Sequence, residues 1–194
     1  MATKKTKYLK LNLRYEDPDY SRTVVVPANG TLALLHEVIQ ASFGWLDGHL
    51  YQFEDDAFFY EPERDPDVED FPKEKKKKLA AKVKIDKVLA KKGDKMLYVY
   101  DFGDWNEVKI NCLGETDAFE EKDFKTKGVD LIEDSAGMGF TPGIVALLSG
   151  RKSKKQQSCL DWLKGAWGKS KEDVLREPTA KEIFGRVEGI VFKL

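Results

Sequence analysis

The chain has 194 residues, with 33 Lys and Arg against 34 Asp and Glu. A formal net charge of −1 excludes bulk attraction to nucleic acid or an anionic membrane as the default behaviour. Hydrophobic residues make up 41% and aromatics 11%, enough to bury a core of one domain, or of one domain with an appendage. The segment Tyr8 to Tyr15 alternates, with Leu9, Leu11 and Leu13 on one face, and predicts a half-buried strand. Glu16-Asp17-Pro18-Asp19 marks a turn, and Arg22-Thr23-Val24-Val25-Val26, closed by Pro27, predicts a second strand paired with the first as an antiparallel hairpin.

Asn29-Gly30-Thr31 opens a helix, with Asn29 or Thr31 as N-cap. Leu32, Leu35, Val38, Ile39 and Ser42 share its inner face, and Gly44 ends it. His49 to Glu54 predicts a third strand, which Ala57 to Tyr60 continues or returns. Residues 61–78 carry Pro62, Pro66 and Pro72 and predict an exposed loop. Charge is segregated around it: nine acids and one Arg from Glu54 to Asp70, then eleven Lys and three acids from Lys73 to Lys95. Two solvated, mutually attracting segments explain this pattern better than a phosphate-binding arm, because no aromatic is interleaved among residues 73–95.

Val83 to Ile85 predicts a strand edge, and Ile85, Val88 and Leu89 one or two helical turns ended by Gly93. Met96 to Phe102 and Trp105 to Leu113 predict a hairpin turning at Gly103-Asp104, with Val108, Ile110 and Cys112 on one face. Residues 115–128 are charged and irregular, and Glu133 to Gly139 is a glycine-bearing loop. Helical patterns cover 142–149 and 155–164, separated by a basic stretch. Ser170-Lys171-Glu172-Asp173 is a capping-box start, Thr179 to Phe184 a last helical turn, and Gly189 to Leu194 a closing strand.

The two Cys, Cys112 and Cys159, exclude a disulfide framework and a four-thiolate zinc site, and both are expected to be inert. No apolar run reaches membrane-spanning length, and none of signal-peptide length follows Met1, so a cytoplasmic location is expected. Gly-x-Ser-x-Gly, the phosphate loop, Gly-x-Gly-x-x-Gly and His-Glu-x-x-His are all missing. One constellation stands out. His36 in the helix, His49 at a strand start, Asp101 and Asp104 around the hairpin turn, Trp105, Glu107, and Glu133 with Asp134 would converge with Trp45 on one cleft. Histidine nitrogen and carboxylate oxygen suit a metal or a cationic ligand. The alternative is structural: Asp101 and Asp104 cap a turn, His36 is a satisfied core-edge histidine, and Trp45 and Trp105 are core.

Leu35-His36-Glu37-Val38-Ile39-Gln40-Ala41-Ser42-Phe43-Gly44-Trp45, His49-Leu50-Tyr51-Gln52-Phe53 and Tyr98-Val99-Tyr100-Asp101-Phe102-Gly103-Asp104-Trp105 together resemble the plasmid pRi ORF-3-like family. Ser21 to Pro27 stands where relatives carry a Trp-Arg-Arg strand ending in Val-Pro, and Glu133 to Phe140 resembles their Glu-Asp-x-Gly-Gly-x-x-Gly-Tyr loop. The resemblance covers about residues 7–148. This chain departs from Asp-Phe-Gly-Asp-x-Trp-Glu-His: Trp105 follows Asp104 directly, and Val108 stands where the family has its His. The resemblance implies an α+β domain without an established activity. Some relatives are labelled resolvases or are fused to DNA-binding modules, but no Ser in an Arg-rich setting appears here.

The expected fold is therefore α+β, a mainly antiparallel sheet with a long helix across one face (residues 1–148) and a helical C-terminal extension (149–194). The expected function is a non-catalytic binding or interaction domain. The other class is a metal-assisted hydrolase or nucleic-acid-processing enzyme, with the His and Asp residues as ligands or acid–base groups and the Lys run on phosphates. The ligand-binding cleft would comprise His36, Trp45, His49, Asp101, Asp104, Trp105, Glu107, Glu133 and Asp134. No catalytic residue, metal ligand or cofactor is assigned. The expected partner is a protein or small molecule, with nucleic acid weakly supported and a membrane not expected.

Overall fold

A computed structural model describes residues 6–17, 19–62, 75–135 and 140–193. The alternating first segment forms β1 (Tyr8–Tyr15), which pairs antiparallel with β2 (Ser21–Pro27). Thr31 caps α1 (Leu32–Phe43), its side chain accepting from the Leu34 N–H. After α1 come β3 (Tyr51–Glu54), β4 (Phe58–Glu61), β5 (Lys76–Leu79), β6 (Lys95–Tyr100), β7 (Asn106–Thr116) and β8 (Lys125–Lys127). They join one eight-stranded mixed sheet in the order β5-β4-β3-β6-β7-β1-β2-β8. β4 and β5 run parallel and the other pairs antiparallel.

β1 and β7 bury alternate residues: Leu9, Leu11 and Leu13 of β1 and Val108, Ile110 and Cys112 of β7. This is the burial that period-two alternation calls for. These side chains share one core with Leu35, Val38, Ile39 and Phe43 of α1.

Three local expectations are corrected. The 61–78 loop contains β5 at Lys76–Leu79, while residues 63–74 lie outside the described residues. A lysine-rich strand at the sheet edge resists pairing with a further chain. Val83 to Ile85 forms no strand; Lys84 makes a single bridge to Thr31. The expected closing strand is instead the end of α5 (Ala180–Val191), where Ile183, Val187 and Val191 recur every fourth residue and are buried. Packing against the core overrides the β-propensity of Ile190-Val191-Phe192.

α2 (Thr141–Ser149), α3 (Lys154–Trp167) and α4 (Lys171–Leu175) bury Ile144, Leu148, Cys159, Leu163 and Val174 in a second, smaller cluster with Ile132. The capping box at Ser170 and Asp173 forms as the sequence predicts. α5 instead packs in the first core.

A buried charge ties α5 to the sheet. Arg22 of β2 is fully buried, and its guanidinium donates to the carbonyls of Ser42 (2.7 Å), Lys127 (2.7 Å) and Val129 (2.9 Å). Burial pulls its pKa down to about 10, against the opposing pull of Asp130. Asp130 takes a bidentate pair from Arg186 of α5, at 3.0 and 2.8 Å. The segment that follows, residues 131–135, is thereby fixed beside the end of α1.

The segregated charges also meet. Lys75 pairs with Glu54 at 2.5 Å and Lys77 with Glu61 at 3.2 Å. Lys78 lies over the Phe58 ring, 3.2 Å from its centroid.

Candidate functional site

Gly44 ends α1 in the left-handed region, at φ 78°. A Cβ there would stand 2.9 Å from the Cβ of Asp130, so only glycine lets the two segments approach. The Leu131 N–H then donates to the Phe43 carbonyl at 2.7 Å. Segment 130–135 thus meets the α1–β3 connection where β3 begins, β6 ends and β7 begins.

The clasp between these segments is Tyr100 with Glu133. The Tyr100 hydroxyl donates to Glu133 Oε1 at 2.5 Å and accepts from the Gly48 (2.9 Å) and His49 (3.3 Å) N–H groups. The same carboxylate oxygen accepts from the Leu46 N–H at 2.8 Å. Burial, reinforced by Glu133, raises the Tyr100 pKa far above its usual value, so the phenol keeps its proton and donates. Trp45 is buried and packs on Tyr100, with ring centroids 5.0 Å apart.

Beyond this clasp three side chains converge. His49 Nε2 lies 3.1 Å from Asp134 Oδ1 and 3.7 Å from Asp101 Oδ2. One ligand-type atom from each residue falls within 4.8 Å of the others. Asp101 Oδ1 is held by the Gly103 N–H at 2.9 Å, which leaves Oδ2 toward His49. Both aspartates sit in the left-handed region, Asp101 at φ 57° and Asp134 at φ 50°, which Asp tolerates better than most residues. Trp105 at φ 57° is a bulkier occupant and marks a strained turn.

Among the expected residues, His49, Asp101 and Asp134 therefore meet, with Glu133 directly behind them. Asp104 lies in the same turn, its N–H 3.4 Å from Asp101 Oδ1. Trp105 is 52% exposed, with its indole N–H donating to Glu107 Oε1 at 3.1 Å. It is not core, whereas Trp45 is.

His36 belongs to a separate, closed cluster. Its Nδ1 is 2.8 Å from the Tyr98 hydroxyl, its Nε2 is 2.8 Å from Asp47 Oδ1, and its ring stacks on Tyr51 with centroids 3.6 Å apart. Gln40 donates to the Tyr98 oxygen at 2.8 Å, so the Tyr98 proton points to His36 Nδ1, and the Nε2–H tautomer donates to Asp47. Burial lowers the His36 pKa despite the opposing pull of Asp47, because Asp47 itself is more than half exposed to water.

Sequence reasoning missed Tyr98, Tyr100, Gln40 and Asp47. The available signal was Tyr98-Val99-Tyr100: two phenols on one face of a strand must find polar partners when buried. It also missed Leu46, Leu50 and Phe102, which with Trp105 are exposed large apolar side chains on the segments around His49. Residues 44–50, 101–107 and 130–135 contain no Lys or Arg but seven acids. Residues 136–139 of the expected glycine-bearing loop lie outside the described residues. A groove lined by Asn12, Arg14, Glu54, Asp94, Lys95 and Lys109 contains none of the expected site residues.

The model of the plasmid pRiA4b ORF-3-like protein family matches residues 5–175. The chain belongs to this family. The match continues past the motif-bearing region through α2, α3 and α4. An uncharacterized protein of Sinorhizobium fredii (strain NBRC 101917 / NGR234), y4hQ, is 39% identical over 104 residues, 53% of this chain. The chain covers only about half of that relative's length, 50%. The crystal structure of a protein of unknown function, MM3350 of Methanosarcina mazei Go1, is similar with a TM-score of 0.64 and 25% identity, covering 82% of this chain and 91% of that one. No helix among the described residues is long and apolar enough to cross a membrane.

Proposed function

We propose that this ORF-3-like protein is a non-catalytic binding domain whose site is the loop end built by residues 44–50, 101–107 and 130–135. One observation carries the reading: exposed Leu46, Leu50, Phe102 and Trp105 stand on the same segments as the His49–Asp101–Asp134 cluster. Singly exposed apolar side chains are ordinary, but four on adjoining loops with a polar centre have the composition of a recognition surface. The partner it fits is a protein segment that offers an apolar or aromatic side chain beside a polar group. Apart from Asp130, which Arg22 and Arg186 hold, these segments carry six acids and no Lys or Arg, which favours a basic residue in that segment.

The rigid base supports the same reading. Tyr100, Glu133 and Trp45 lock the loops from below, so the exposed residues are presented with little ordering left to do on binding.

The test is binding of the full chain to an array of short synthetic peptides, compared with Leu50→Ala and Trp105→Ala variants. The expected result is selection of peptides with aromatic or aliphatic residues next to Lys or Arg, lost in both variants. Equal binding by the wild type and the variants would remove this site from consideration.

A further inference from the structure

Accepting the reading of the loop end as a binding surface, we propose that His49 Nε2, Asp101 Oδ2 and Asp134 Oδ1 bind one divalent first-row metal ion, with Zn²⁺ the expected occupant. Four observations support it. The first is spacing. Ligand atoms at about 2.0–2.1 Å from a tetrahedral ion lie about 3.3 Å apart. The His49–Asp134 and His49–Asp101 separations of 3.1 and 3.7 Å bracket that value.

The second is charge. Neither Asp101 nor Asp134 pairs with a Lys or Arg among the described residues; the basic side chain that each contacts there is the imidazole of His49. One imidazole cannot balance two carboxylates, whereas a divalent ion can. The contrast with Asp130, held by two guanidinium groups, shows how this protein treats a carboxylate with a purely structural role.

The third is outer support, which orients ligands in metal sites. Asp101 presents one oxygen because the Gly103 N–H holds the other. The backbone N–H of His49 is held by Tyr100, whose hydroxyl also fixes Glu133, the residue before Asp134. Tyr100 is therefore a positioning residue for two of the three ligands.

The fourth is access. The His49 side chain is 30% exposed and that of Asp134 60%. An ion held there keeps open coordination positions toward solvent. One nitrogen with two oxygens suits Zn²⁺ or Mn²⁺ better than Ca²⁺, which takes oxygen ligands in larger number. The open positions would accept an oxygen donor from the bound partner, so the ion converts a surface that attracts basic groups into one that also holds a carboxylate.

The full chain is freed of metal with EDTA, exchanged into chelator-free buffer and titrated calorimetrically with ZnCl₂ and with MnCl₂ alone. One equivalent is expected to bind. At a hundredfold excess over Kd the melting temperature rises by about 5–10 °C. His49→Ala and Asp134→Asn should each weaken binding by more than about a hundredfold, and Tyr100→Phe by about 10–100-fold, the range for outer-shell partners. Circular dichroism of each variant separates ligand loss from unfolding, and Asp134→Asn, on an exposed side chain, is the variant least able to disturb the fold.

No binding by the folded wild type up to about 1 mM metal overturns the proposal. Full-strength binding by folded His49→Ala and Asp134→Asn overturns it too and moves the ion elsewhere. Repeating the peptide array in EDTA separates this inference from the one beneath it. Peptide selection without metal uptake leaves the binding domain and removes the ion, and metal uptake without peptide selection does the reverse.

Discussion

The two histidines show two ways of placing a polar group in one fold. Around His36 the polar network is closed: Tyr98, Gln40 and Asp47 satisfy one another and the imidazole, and Tyr51 covers the ring. Around His49 the network is open, with two carboxylates, no Lys or Arg among the described residues, and exposed apolar neighbours. The first arrangement lowers the free energy of the fold and offers nothing to a ligand. The second leaves electrostatic repulsion unrelieved, a cost that a protein tolerates where a ligand relieves it.

Arg22 is the extreme of the closed kind, and breaking it should have the largest effect. Arg22→Met should destabilise the protein by about 3–5 kcal/mol, because the buried carbonyls of Ser42 and Val129 and the part-buried carbonyl of Lys127 lose their donor together and Asp130 loses one of its two guanidinium partners. Urea denaturation should show a lower midpoint with an unchanged m value. A loss below about 1 kcal/mol would mean that Arg186 alone satisfies Asp130 and that water reaches the carbonyls.

His36 comes next. His36→Ala should cost about 2–4 kcal/mol at pH 8, through lost packing on Tyr51 and an unsatisfied Tyr98 hydroxyl. The pH dependence has a definite sign. The folded pKa lies below the ordinary histidine value of 6.5 because burial disfavours the charged ring, so the unfolded chain binds the proton first as pH falls. The contribution is fully present above pH 6.5 and declines below it, toward the lower folded value. The slope is at most about 1.4 kcal/mol per pH unit. His36→Gln should flatten this slope below pH 6.5 in urea titrations. A slope unchanged by His36→Gln would assign it to other groups.

The smallest effect on stability is expected at the open cluster. Asp134→Asn in metal-free protein should change stability by less than about 0.5 kcal/mol, or raise it slightly by removing one of two facing carboxylates. A loss of 2 kcal/mol or more would place Asp134 with the closed clusters and erase the distinction between the two histidines.

Much of the local structure was legible. The Leu9-Leu11-Leu13 alternation, the Gly44 cap, the Ser170 capping box and the inward face of Cys112 all follow from patterns that span at most a few residues, whereas the choice of Thr31 over Asn29 as N-cap came from the structure. The site was legible in part. His49, Asp101 and Asp134 belonged to the sequence-level set, as did Glu133, but so did His36, which the fold commits to another cluster. Nothing near His36 in sequence separates a stacked, satisfied imidazole from a ligand, because its decisive partner, Tyr98, lies on a strand far along the chain.

The sequence by itself determined the secondary elements whose cause is local: side-chain period, capping chemistry and turn residues. Only the tertiary structure decided which loops meet. The order β3-β6-β7 sets the start of β3 beside the end of β6. Gly44 and the Arg22–Asp130–Arg186 charges bring residues 130–135 against both. It also decided that Gly189 to Val191 ends a helix, since an apolar stripe gains more from burial on the core than from its intrinsic β preference. The physical reason is the same in each case. Periodicity and capping are local energies, whereas convergence depends on long-range burial that no short stretch of chain encodes.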